Sequence, residues 1–106
     1  MSSTENVLFI GKFYGVEEKQ VNEFSNYIAD FALNVSEDNA LVGKYGSELI
    51  FHVFGWRSKK ITYEEIIKEY FSEILNKHPN ISGFFEFYNM DSVPYSSFNY
   101  RTGETN

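Results

Sequence analysis

A ferredoxin-like α+β fold is what this 106-residue chain predicts: βαββαβ with a further strand available at the C-terminus, and two helices on one face of an antiparallel sheet. Three observations predict it. Two segments repeat apolar residues at three- and four-residue steps, several others are rich in β-branched and aromatic residues, and the chain order is strand, helix, strand, strand, helix, strand. The length suits one core and one domain, residues 1–106, with flexible ends at 1–6 and 101–106. An apolar share of 42% gives such a core enough to bury and argues against disorder.

Val7 to Tyr14 reads as the first strand and closes at Gly15. Val7, Phe9, Gly11 and Phe13 make one apolar face, and Leu8, Ile10, Lys12 and Tyr14 a mixed one. Glu17 and Glu18 favour a helix start, and Val21, Phe24, Ile28, Phe31 and Val35 follow at helical spacing, so a helix is expected from about Val16 to Val35. The polar cluster Ser36-Glu37-Asp38-Asn39 ends it. Ala40 to Trp56 reads as a hairpin with Gly46-Ser47 as a two-residue II′ turn. That register pairs Tyr45 with Glu48, Gly43 with Ile50 and Leu41 with His52. It sorts Ala40, Val42, Leu49, Phe51 and Val53 onto one apolar face beside Lys44.

Thr62 opens the second helix with a capping box to Glu65 and an Ile61/Ile66 staple. Tyr63, Ile66, Ile67, Tyr70, Phe71, Ile74 and Leu75 continue its apolar stripe, and Asn76, Lys77, His78 and Pro79 end it. Ile81 to Met90 is the next strand and Asp91 to Pro94 a turn. Tyr95 to Tyr100 is either a further edge strand or a segment laid across the sheet.

Composition excludes more chemistry than it suggests. With no cysteine, disulfides, thiolate catalysis and zinc-cysteine sites are all ruled out. The polar start Met1 to Asn6 and the broken apolar run after it fit neither a signal peptide nor a membrane span, so a cytoplasmic protein without membrane contact is expected. The sequons at Asn34 and Asn80 would matter only in a secreted eukaryotic protein. No serine sits in a Gly-x-Ser-x-Gly elbow, and phosphate-loop, dinucleotide and EF-hand patterns are missing, so no cofactor, metal or catalytic residue is assigned. Of the two histidines, His52 falls on the outer face of the hairpin and His78 at a helix end.

Leu8-Phe9-Ile10-Gly11-Lys12-Phe13 resembles the hexapeptide that RNA-recognition motifs carry on their first strand, a resemblance that implies stacking of RNA bases on strand aromatics. The matching octapeptide is not found in Glu48 to Gly55. With 15 acidic residues against 9 basic ones and a net charge of −6, nucleic acid is not an expected partner.

Two surfaces remain. If both helices cover one face of the sheet, the other exposes Leu8, Ile10, Tyr14, Leu41, Tyr45, Ile50, His52, Phe54, Phe84 and Tyr88, beside Glu86. Such a patch calls for a cover: the chain's own tail, a second copy, a protein partner or an apolar ligand. Glu65, Glu69 and Glu73 form an acidic line at four-residue steps on the second helix, suited to a basic partner. The expectation is a small acidic protein-binding module, of the inhibitor, immunity, antitoxin or anti-defence kind, more a binder than an enzyme. It would use Tyr45, Ile50, His52, Phe54, Phe84, Glu86, Tyr88 and the Glu65/Glu69/Glu73 line. The alternative is a homodimeric barrel-like enzyme or regulatory domain with a small apolar ligand on the outer face.

Overall fold

The structure is a computed structural model that describes residues 3–36, 40–92 and 96–101, with 96–100 described as backbone. Its elements are β1 (Thr4–Tyr14), α1 (Val21–Val35), β2 (Leu41–Tyr45), β3 (Glu48–Ser58), α2 (Tyr63–Lys77), β4 (Ser82–Asn89) and β5 (Ser96–Arg101). The strands form one antiparallel sheet in the order β2-β3-β1-β4-β5, with both helices on one face. The fold is α+β.

Alternation builds the layers. Val7, Phe9 and Phe13 of β1, Leu49, Phe51 and Val53 of β3 and Phe85 and Phe87 of β4 face the helices and are buried. They meet Phe24, Ile28, Phe31 and Val35 of α1 and Ile66, Ile67, Phe71 and Ile74 of α2 in a single cluster. Eight of the eleven phenylalanines lie in this core, so most of the phenylalanine is spent there and not on a surface. Phe13 sits at its centre, with ring centroids 5.0 Å from Phe24, 5.5 Å from Phe71 and 5.6 Å from Phe85. Gly11 is part of the same design, because a Cβ there would lie 2.1 Å from the Phe51 ring on the neighbouring strand.

The hairpin has the expected register, with Tyr45↔Glu48, Gly43↔Ile50 and Leu41↔His52. Gly46 takes the positive φ of +62° that the first central position of a II′ turn needs, while Ser47 does not have a positive φ. Thr62 caps α2 through its Oγ1, which accepts from Glu65 N at 3.1 Å. Ile66 is buried, and Ile61 remains 37% exposed.

Several boundaries differ from expectation. The first helix does not begin at Val16. Gly15 and Val16 both donate to Ser47 O, which leaves Val16 buried in the core in non-helical backbone. Glu17 then forms a capping box with Gln20 around a 3-10 turn at Glu18–Gln20, and α1 proper starts at Val21. β1 begins at Thr4, three residues before Val7, because its pairing with β3 runs on to Ser58. Val42, placed on the helix-facing side, is 43% exposed, since β2 is the edge strand and the helices lie against β3 and β4. Ser96–Arg101 is an edge strand on β4 and does not cross the sheet face. Glu37, Asp38, Asn39 and the stretch Val93 to Tyr95, within the expected loop and turn, lie outside the described residues.

Candidate functional site

The outer face is laid out by register. Leu41, His52, Ile10 and Glu86 form one cross-strand row; Phe54, Leu8 and Tyr88 form the next; Gly43, Ile50, Lys12, Phe84 and Arg101 form a third. Neighbours along such rows stand close enough for side-chain contact, so the face is one continuous surface.

Its two halves are unequal. On β1 and β4, Leu8, Ile10, Phe84, Glu86 and Tyr88 are all half-buried. Tyr88 OH donates to Glu86 at 2.7 Å, and that bond, strengthened by the carboxylate's charge, raises the phenol above its ordinary pKa. The Arg101 guanidinium lies 4.7 Å from the Phe84 ring centroid. This half supplies partners to itself. On β2 and β3, by contrast, Leu41 is 64% exposed, Tyr45 67%, Phe54 54% and Trp56 41%, with exposed His52 between them. Ile50 is half-buried at the floor of an open depression of about 230 Å³ shared with Leu41, Val42, Gly43, Tyr45 and His52.

Trp56 is a residue the sequence reading missed. It continues the outer alternation His52, Phe54, Trp56, and that period-two pattern was the signal that could have found it.

Glu65, Glu69 and Glu73 are exposed on α2, in the helix layer, so the structure does not bring them together with the outer-face residues. Glu73 accepts from Tyr27 OH at 2.7 Å, which raises that phenol's pKa. One member of the acidic line is thus tied to α1. At the far end of α2, Glu23 accepts from Lys77 at 2.6 Å and pairs with the His78 ring at 2.6 Å, and these two partners hold its carboxyl below the ordinary range. Gln20 Nε2 lies 3.3 Å from the other ring nitrogen of His78, while its Oε1 accepts from Glu17 N. His78 is a tie between helices.

A second polar cluster was also missed. Glu5 lies at the end of the core, 6% exposed, and accepts from Arg57 Nε at 2.8 Å and Nη2 at 2.5 Å, from Tyr63 OH at 2.8 Å and from Asn89 Nδ2 at 2.9 Å. Arg57 also donates to Ile61 O and lies over the Tyr63 ring. Burial, and then the bond to Glu5, pushes the Tyr63 phenol up to about 12. The network joins β1, β3, α2 and β4, and a hollow of about 430 Å³ opens beside Arg57, Thr62, Tyr63 and Glu64. Its polar groups satisfy one another, which suits a clasp more than a reactive site. Glu5 and Arg57 extend the inward alternation of β1 and β3, so their burial was readable had the first strand been drawn to its full length.

The two aromatic residues of the Leu8–Phe13 hexapeptide, Phe9 and Phe13, are 2% and 0% exposed. Neither can stack a base, so the implied RNA contact has no surface on this strand. Among the described residues no group of three or more potential metal ligands occurs. No described helix is long and apolar enough to cross a membrane. Comparison with protein-family models, with curated proteins and with solved structures finds no match to this chain.

Proposed function

We propose that the chain is a protein-binding module that makes contact through the hairpin half of its outer sheet face, on a ferredoxin-like scaffold with an added edge strand. One observation carries the reading: Leu41, Tyr45, Phe54 and Trp56 stand exposed along the outer side of β2 and β3. Large rigid side chains held on a sheet give contact area at low entropic cost, which is the composition of interface anchors. The depression beside Leu41 and Tyr45, about 230 Å³, is smaller than the usual range for small-molecule pockets, which favours a protein surface as occupant. A cytoplasmic inhibitor of the immunity, antitoxin or anti-defence kind fits a small acidic chain with such a face. The exposed Glu65 and Glu69 add a second contact for a basic partner.

Phe54→Ser/Trp56→Ser is the test. Both side chains are outside the core but about half covered, so a loss of roughly 1 to 3 kcal/mol of stability is expected, and circular dichroism checks that the variant is folded at the assay temperature. Loss of two central anchors should weaken partner binding by roughly 100-fold or more. Quantitative affinity capture from extracts of the source cells, run with wild type, this variant and Glu65→Gln/Glu69→Gln, checks it. A partner held equally by wild type and the Phe54/Trp56 variant would contradict the proposal.

A further inference from the structure

β2 is an edge strand with the residues of an interior one. Leu41 and Tyr45 are exposed on its outer side and Val42 on its helix side, so three of its five residues present apolar surface. Strands apolar on both sides are normally covered on both. Edges are commonly guarded by an outward lysine, but Lys44 is turned back onto Gly46 O and lies 3.6 Å from Glu18. Among the described residues, β2 has β3 as its one neighbouring strand.

The hairpin geometry states which backbone groups face the open edge. Tyr45 and Glu48 flank the two-residue turn and form its hydrogen-bonded pair, and alternation gives Gly43/Ile50 and Leu41/His52 the same role. Val42 and Lys44 therefore direct N–H and C=O outward. We propose that β2 pairs antiparallel with β2 of a second copy across a two-fold axis at Gly43, joining two sheets into one. This inference stands apart from the outer-face reading and leaves that face open.

The register is self-complementary. An antiparallel copy centred on Gly43 sets Val42 against the partner's Lys44, outward groups meeting outward groups, and Leu41 against the partner's Tyr45, apolar against apolar. Gly43 leaves room for the Tyr45 ring, which a Cβ there would meet at 3.0 Å. Charge does not oppose a second copy. Lys44 and Glu48 cancel within the paired residues 41–52 of a chain of −6, so two copies meet here without opposing net charges. A basic partner is drawn to the rest of the molecule instead. Five residues make about 17 Å of edge. An edge that short buries well under the roughly 800 Å² each side contributes to a standard interface, so the dimer is weak and reversible.

Amide hydrogen exchange on the wild-type chain tests this residue by residue. Between about 20 μM and about 1 mM, protection of the Val42 and Lys44 amides is expected to rise by roughly fivefold or more, while the Gly43 and Tyr45 amides, bonded within the hairpin, stay unchanged. Val42→Pro removes an outward N–H and no hairpin bond, so it should abolish the rise at Lys44. Protection at Val42 and Lys44 that does not change with concentration would overturn the proposal, as would an association that protects other amides instead. Should Val42→Pro disturb the fold, the wild-type series decides alone.

Discussion

Gly55→Ala should destabilise the protein by about 3 kcal/mol or more, the upper range for overpacking, because the obstacle is backbone. A Cβ at Gly55 would lie 1.9 Å from Val35 O and 2.8 Å from its carbonyl carbon, at the last turn of α1. That turn is held against β3 by Ser36 Oγ, which donates to Phe54 O at 2.8 Å, and by the buried Val35 and Phe31. A methyl group at Gly55 lifts the helix end and opens the core beneath it. In a domain of this size each kcal/mol moves the melting temperature by about 4 °C or somewhat more, so a fall of roughly 12 °C or more is expected. Gly46→Ala is the control. Gly46 has φ +62° and open space where a Cβ would stand, so only the left-handed backbone is penalised, at about 1 to 2 kcal/mol. Equal melting temperatures for the two variants would count against the close approach of α1 to β3.

Glu5→Ala is expected to cost about 3 to 5 kcal/mol, because it leaves a largely buried guanidinium without its counter-charge. Arg57 has 15% of its side-chain surface exposed, so water reaches it poorly, and Tyr63 and Asn89 lose the same acceptor. The pair should behave as a unit. Glu5→Met/Arg57→Leu, which removes both charges together, should be less destabilised than either single variant, since no uncompensated ion remains. Urea denaturation of wild type, Glu5→Met, Arg57→Leu and Glu5→Met/Arg57→Leu gives the coupling directly. Strictly additive losses would show that Glu5 and Arg57 act separately.

What the sequence showed and what it hid have physical causes. The hairpin register was legible because the turn residues Gly46-Ser47 and the alternation on both arms point to the same pairing, and a one-residue slip would scramble them. The start of α2 was legible from Thr62, whose cap is local. The start of α1 was not, because Val16 is as compatible with the helix stripe as with its actual place in the core, and two hydrogen bonds to Ser47 decide between them. Those bonds join residues far apart in the chain. The clasp of Glu5 was hidden for the same reason: Glu5, Arg57, Tyr63 and Asn89 come from four elements, and each alone reads as an ordinary polar residue. For the outer face, alternation named most of the residues. Only tertiary structure could tell that β5 pairs beside β4, so that no described segment crosses the face, or that exposure concentrates on Leu41, Tyr45, Phe54 and Trp56.

Trp56 is the single tryptophan, and it reports on that face directly. Trp56 is 41% exposed, so in dilute solution its emission should lie between those of a buried and a water-exposed indole, and acrylamide should quench it. Phe54→Ser should expose it further. An emission fully protected from quencher in the isolated chain would mean that this part of the outer face is covered, and would contradict the proposal that it is open to a partner.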